Sequence, residues 1–202
     1  MIDIFDVEPE YEVKRHRKWS RMLDGHRKPV PKWHGTTSNE GAWHDCVMRC
    51  NNDGPRTIMS LERVNDFFNH RGRFPFKKDK LDRWLSLNEV LHRKRVHKYD
   101  DKDGLDCEDI AGAKYATLRH LGYTIKELRM LVVRDMRTRP KRGHAILVVL
   151  RPYPDFGDYK HPMVLDNQIR KIKPLCFVIV NGRRGRYKPM FWLAENGWGR
   201  IR

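Results

Sequence analysis

The feature that most constrains the fold is a change of hydrophobic period near residue 128. Before it, Leu61, Val64 and Phe68 recur at helical spacing. After it come short β-branched or aromatic runs separated by Gly, Pro and charge, namely residues 128–136, 144–150, 162–168, 176–180 and 188–193. Helices followed by consecutive strands predict an α+β domain, with the helices packed on an antiparallel sheet.

Capping residues locate the predicted helices. Ser60 is a candidate N-cap for a helix that ends near Arg71 and Gly72, and a capping box over residues 86–89 opens a second helix. The segment from Cys107 to Leu121 has the pattern of a buried helix of about four turns that ends at Gly122. A further capping box at residues 124–127 predicts at most one turn of helix.

Residues 1–58 mix charges with Gly and Pro and show no sustained period. They are predicted to form a basic N-terminal arm of loops and short elements, while residues 59–202 form the folded domain. Trp19, Trp33 and Trp43 are expected to anchor the arm to the body, because disordered segments are poor in aromatic residues.

The chain is strongly basic, with 42 Lys and Arg against 26 Asp and Glu and a formal net charge of +16. Such a field attracts nucleic acid, anionic surfaces or acidic proteins. Two interpretations stay open from charge alone: a solvated basic surface on an enzyme, or a nucleic-acid-binding protein without catalytic activity.

The N-terminus carries acids and no apolar segment of signal-peptide length, and no stretch approaches the roughly 18 apolar residues of a membrane span. If Cys107 stays free, the other three cysteines, Cys46, Cys50 and Cys176, cannot all pair, which favours a reducing compartment or at most one disulfide. These features predict a cytoplasmic or phage-associated protein.

Cys107 lies where a loop enters the buried helix, ringed by Asp103, Asp106, Glu108 and Asp109. Unpaired N–H groups and the helix dipole at an N-terminus favour a thiolate. The neighbouring carboxylates oppose it, so a cation is needed to offset them. The stretch therefore predicts a reactive cysteine.

His144 opens one predicted strand, and Asp166 lies near the end of the next. In an antiparallel pair, the beginning of one strand lies beside the end of its neighbour, which predicts contact between imidazole and carboxylate. Together with Cys107 these residues have the types that nucleophilic cysteine catalysis requires. The alternative is a buried structural cysteine, a hydrogen-bonded histidine and a turn-forming aspartate.

Several separate motifs resemble those of the bacterial transglutaminase-like cysteine proteinases, a family that includes a periplasmic protease releasing biofilm adhesins. The likeness spans about residues 60–170 in the family's order. The matching segments are VNDFFN at 64–69, WLSLNE at 84–89, DCED at 106–109 with the helix that follows, HA at 144–145 and LDN at 165–167.

The resemblance implies a papain-like or transglutaminase-like domain that hydrolyses peptide bonds of a protein substrate without an organic cofactor. It implies Cys107 as nucleophile, His144 as general base and acid, and Asp166 as the group that orients the imidazole. It also implies a calcium ion on Asp106 and Glu108 and action in the periplasm. Asp103 and backbone carbonyls could complete the coordination shell of that ion. Two alternatives remain: the same triad could transfer the acyl group or deamidate glutamine, and Asp106 and Glu108 could simply cap the helix.

Overall fold

The computed structural model describes residues 9–12, 16–27, 39–76, 84–92, 105–153, 161–179 and 185–201. The helices within these ranges are α1 (Arg17–His26), α2 (Asn39–Asn52), α3 (Ile58–Asn69), α4 (Leu87–His92), α5 (Cys107–His120) and α6 (Leu175–Val178). The strands are β1 (Leu128–Asp135), β2 (Arg142–Val149), β3 (Met163–Leu165), β4 (Lys173–Pro174), β5 (Tyr187–Ala194) and β6 (Gly197–Arg200).

The strands form one sheet in the order β4-β3-β2-β1-β5-β6, and every neighbouring pair is antiparallel. In the central hairpin Val133 lies opposite His144, and β2 continues to pair with β3, where Leu147 lies opposite Leu165. The predicted α+β fold, with helices packed on an antiparallel sheet, is confirmed.

The two faces of the sheet bury different sets of side chains. Ala145, Leu147 and Val149 alternate along β2 into the larger core, which lies between the sheet and α1–α5. Ile146 and Val148 point into a smaller cluster that α6 and Trp192 help to cover. Because both faces are covered, β2 is buried over six consecutive residues, 144–149.

Helix α5 is the central helix of the larger core. It ends as predicted, since Gly122 follows it with φ +86°, a conformation that L side chains rarely adopt. Helix α1 packs closely against it at Gly112, where an added Cβ would overlap the side chain of Met22. The helix that carries Cys107 is thus fixed by the sheet on one side and by α1 on another.

Two local predictions differ from the structure. Helix α3 begins at Ile58 with Thr57 as its N-cap, rather than at a Ser60 cap. Residues 124–127 stay within the predicted limit of one helical turn: they form a turn in which Thr124 N donates to Glu127 Oε2 at 2.7 Å. Residues 175–178 are helical rather than extended, because Leu175 and Val178, three apart, are the buried pair while Cys176 is exposed.

The N-terminal segment contains two helices, α1 and α2. Trp19 and Trp43 are completely buried in the same core as α5, as expected of anchoring residues. The indole N–H of Trp43 donates to Thr117 Oγ1 at 2.9 Å, and that of Trp19 donates to the carbonyl of Ala194 at 2.8 Å. Trp33 lies outside the described residues.

Candidate active site

Cys107 is the first residue of α5, and its side chain is partly buried against the strand that carries His144. The thiol donates a hydrogen bond to Glu108 Oε2 at 3.0 Å. The backbone N–H of Ala145 donates towards the sulfur. Burial raises the pKa of the thiol well above its ordinary value, and the charge and hydrogen bond of Glu108 raise it further.

His144 and Asp166 meet as the antiparallel pairing predicts. His144 Nε2 lies 2.7 Å from Asp166 Oδ1, and each side chain is only 1% exposed. Tyr187 donates its hydroxyl to Asp166 Oδ2 at 2.5 Å. Burial alone would raise the pKa of the Asp166 carboxyl, but the hydrogen bond and charge of His144, with the Tyr187 hydroxyl, hold that pKa below its usual range.

The other imidazole nitrogen is covered by Gln168, which the sequence analysis did not single out. Gln168 Nε2 lies 3.3 Å from His144 Nδ1. Its Oε1 accepts from Arg186, which in turn donates two hydrogen bonds, 2.6 and 3.0 Å long, to Asp135 Oδ2. A continuous polar chain therefore runs from the start of β5 to the imidazole.

The structure joins two of the three predicted catalytic side chains directly. In the part of the chain that it describes, the hydrogen bonds of the imidazole go to Asp166 and Gln168, and that of the thiol goes to Glu108. Cys107 contacts β2 through the backbone of Ala145, the residue next to His144. Cys107 thus lies beside the residue that follows His144 in β2, but no hydrogen bond joins the thiol to the imidazole within the described residues.

A buried lysine supports the loop that carries Asp166. Lys114, on α5, is completely buried, and its Nζ donates to Asn65 Oδ1 at 2.8 Å and to Asn69 Oδ1 at 2.7 Å. The same two amides donate to the backbone carbonyls of Arg170 and Asp166, at 2.8 and 2.7 Å. Burial lowers the pKa of Lys114 to about 7, against the opposing effect of nearby carboxylates.

Asn65 and Asn69 belong to the VNDFFN segment. The sequence therefore showed this motif, but not that its two amides bind Lys114. A similar role falls to Asp109 in DCED. Its carboxylate accepts from the backbone N–H of Asp106 at 3.2 Å and from that of Leu85 at 2.8 Å. This residue ties the segment around Trp84 to the turn that presents Cys107.

Of the predicted calcium ligands, Asp106 is the N-cap of α5 and Glu108 lies in its first turn. Asp103 lies outside the described residues. Within those residues no three His, Cys, Asp or Glu side chains group closely enough to hold a metal ion. Two carboxylates beside Cys107 nevertheless have the hard oxygen donors that calcium prefers. The donor chemistry fits the ion, provided that further oxygens come from the segment before residue 105.

Comparison with known proteins identifies the class of this site. Residues 44–177 match the family model described as bacterial transglutaminase-like cysteine proteinase. The match covers well over half of the chain, and it includes Cys107, His144 and Asp166. The chain therefore belongs to this family and is a transglutaminase-like cysteine peptidase.

Solved structures agree on the fold. Calcium-bound LapG from Legionella pneumophila is 23% identical, with 92% of this chain and 86% of that chain covered and a TM-score of 0.58. The EGTA-treated form is also 23% identical, with 96% and 88% covered and a TM-score of 0.60. A third LapG structure is 25% identical, with 83% and 80% covered and a TM-score of 0.57. No curated protein sequence matches the chain.

All four cysteines are free thiols. None of the helices in the described ranges has both the length and the apolar character that a membrane span requires.

Proposed function

We propose that the protein hydrolyses a peptide bond of a protein substrate with Cys107 as nucleophile, His144 as general base and acid, and Asp166 as the orienting carboxylate. The observation that carries the proposal is the buried 2.7 Å contact between His144 and Asp166, next to the strand residue whose N–H points at the Cys107 sulfur. Membership of a cysteine peptidase family supports the same assignment.

The contacts of the imidazole define its working tautomer. With a carboxylate acceptor at Nε2, that nitrogen carries the proton, and Nδ1 keeps its lone pair for the thiol. His144 Nδ1 takes the proton of Cys107 as the sulfur attacks the carbonyl carbon. The C–N bond then breaks, the imidazolium protonates the leaving amine, and a thioester remains on Cys107.

Water completes the cycle. It loses a proton to His144 Nδ1 as its oxygen attacks the thioester, and the departing sulfur regains that proton while the acid product leaves. The backbone N–H of Cys107, in the first turn of α5, has no acceptor within the helix and is the proposed first donor to the oxyanion.

Two contacts must change before the first step. The thiol has to leave Glu108 Oε2, and the Gln168 amide has to leave His144 Nδ1. Both are single hydrogen bonds, each contributing about 1 kcal/mol net, or about 2 kcal/mol where a charged carboxylate accepts. Bound substrate can offset a cost of that size.

Bound calcium would favour the first of these changes, the release of the thiol from Glu108 Oε2. We propose that Asp106 and Glu108, with Asp103 from the preceding segment, bind the ion, as the calcium-bound form of LapG suggests by analogy. Its positive charge would offset the carboxylates that raise the pKa of the thiol. Glu108 has the larger role in this account, because its carboxylate both accepts from the thiol and acts on it by charge.

The triad is tested by mutation and by labelling. Cys107→Ala and His144→Ala should each lower the rate of substrate cleavage by at least about 10³-fold. The melting temperature of Cys107→Ala should stay close to that of the wild type, whereas His144→Ala should melt at a lower temperature because the buried Asp166 carboxylate loses its partner. Mass spectrometry of the products distinguishes hydrolysis from the alternatives, since deamidation adds about one mass unit and acyl transfer joins two molecules. Wild-type cleavage rates in either variant would refute the assignment.

Calcium is tested by the rate at which iodoacetamide alkylates Cys107. The background should carry Cys176→Ser, because Cys176 is exposed and would react as well. Calcium should accelerate labelling near pH 7 and EGTA should reverse the effect. Glu108→Gln should label faster than the parent without calcium and lose most of the response. Equal rates in calcium and EGTA, with an unchanged melting temperature, would remove calcium from the account.

A further inference from the structure

One end of the sheet carries a cluster of basic residues around His144 and Asp166. We call it the site end: the β1–β2 turn at residues 134–143, the β3–β4 turn at residues 166–173, and the start of β5 at residues 185–188. The pairing places them together, because Asp135 lies opposite both Arg142 and Tyr187, and Val164 lies opposite Lys173.

The site end is basic in all three segments. Its exposed basic residues are Arg134, Arg137, Arg139, Lys141 and Arg142 in the first turn, Arg170, Lys171 and Lys173 in the second, and Lys188 on β5. The acids in these segments are Asp135 and Asp166, each 1% exposed and already hydrogen-bonded to Arg186 and His144 respectively.

None of these nine exposed cations forms an ion pair within the described residues. Like charges on neighbouring exposed side chains repel one another, even in water. A cluster of nine therefore works against folding, and an acidic ligand would relieve the repulsion. Such a ligand would also be drawn towards the site by the field of the whole patch.

We propose that the site end binds an acidic segment of the protein substrate and so delivers the adjoining peptide bond to Cys107. The proposal rests on the proposed function, which makes the bound polymer a substrate. A polypeptide is favoured over nucleic acid because the cations surround the residues of a peptidase. In addition, the exposed residues of the two turns include no aromatic side chain on which a base could stack.

Binding is measured first, without turnover. The Cys107→Ala protein is titrated into a fluorescein-labelled peptide containing six Glu and Asp, and into the matched peptide with Gln and Asn, in 50 and 300 mM NaCl. The acidic peptide should bind at least ~10-fold more tightly at low salt, and the preference should shrink at high salt.

Charge reversal then locates the surface. Arg137→Glu with Lys141→Glu changes two exposed residues of the β1–β2 turn, and Arg49→Glu with Lys126→Glu makes the same net change at exposed positions away from the site end. The first pair should weaken binding of the acidic peptide about 10-fold, and the control pair less than twofold. Equal losses would show a diffuse charge effect and overturn the proposal, as would tighter, site-end-dependent binding of a single-stranded oligonucleotide.

The sequences around the cleavage sites provide an independent test of the acidic substrate. Wild-type enzyme is incubated with peptides from a digested proteome, and the sequences around the new termini are read by mass spectrometry. Acidic residues should be enriched on one side of the cut, and the enrichment should fall in the Arg137→Glu, Lys141→Glu variant. Cleavage without such enrichment refutes the acidic substrate but keeps the peptidase. Acidic-peptide binding without any Cys107-dependent cleavage refutes the proposed function instead.

Discussion

The two ends of the sheet are braced by similar ion pairs with different surroundings. At the far end, formed by residues 124–128, 150–151 and 194–197, Arg119 Nε donates to Glu195 Oε1 at 2.6 Å, and Tyr115 donates to the same oxygen at 3.2 Å. At the site end, Arg186 donates to Asp135 at 2.6 Å but also to Gln168, which contacts His144.

One ion pair only holds structural elements together, whereas the other is also connected to the proposed catalytic histidine. The far-end pair fixes the last turn of α5 to the end of β5, and Arg119 also donates to the carbonyl of Tyr123, so none of these contacts leads to His144. At the site end, the hydrogen bonds continue from Arg186 through Gln168 to His144 Nδ1, which must be free to accept the thiol proton. Damage to the far end should therefore appear in stability alone, whereas damage to the site end should appear in both stability and rate.

The largest expected effect comes from Asp166→Asn. The amide can present N–H to His144 Nε2, which would place the imidazole proton on Nδ1, the wrong nitrogen for accepting from the thiol. We expect kcat to fall by about 10³–10⁴-fold, measured by peptide cleavage. Tyr187→Phe removes only the hydrogen bond to Asp166 Oδ2 and should cost about 10-fold or less. Equal rates in Asp166→Asn and wild type would contradict the orienting role.

A matched pair of variants tests the comparison itself. Asp135→Asn and Glu195→Gln each remove the charge of one pair, and each should lower the free energy of unfolding by about 1–3 kcal/mol in urea titrations. Only Asp135→Asn should also change kcat. We expect it to rise by up to several-fold, because Arg186 then loses the partner that positions it against Gln168, and the Gln168 amide leaves His144 Nδ1 more readily. A similar change of kcat in Glu195→Gln would show that the two ends do not differ in this way.

The sequence predicted the parts of the site that follow from periodicity and strand pairing. The contact between His144 and Asp166 is an example, since it needs only two adjacent antiparallel strands. Gln168 and Arg186 were missed, because their contact joins side chains 18 residues apart across two turns and leaves no periodic trace. The buried role of Lys114 was also missed, since a lysine in an apolar helix face indicates neither its partners nor its depth.

Helix α1 was missed for a different reason. Trp19, Met22 and Leu23 have the i, i+3, i+4 spacing of a helix face, and all three are buried. Surrounding charges and Gly25 obscured that pattern in the sequence. Gly25 lies inside the helix because α1 approaches α4 closely there, and an added Cβ would clash with Ser86.

The last prediction concerns the pH dependence of stability at Lys114, which connects the middle of α5 to the loop at the site end. Its folded pKa is about 7, below the roughly 10.4 of an unfolded lysine. Between these values the unfolded chain binds the additional proton, so this group makes stability rise with pH. The contribution approaches about 1.4 kcal/mol per pH unit and is absent below pH 7.

Lys114→Met should remove that slope. The free energy of unfolding of the wild type, minus that of the variant, should increase from pH 7 to pH 9.5 in urea titrations. A constant offset is expected as well, because Asn65 and Asn69 lose a buried donor. Lys126→Met, at an exposed position of the far end, is the matched control and should leave the slope unchanged. The same slope in both variants would mean that Lys114 stays protonated in the folded protein, with Asp166 and Asp66 stabilising its charge more than burial opposes it.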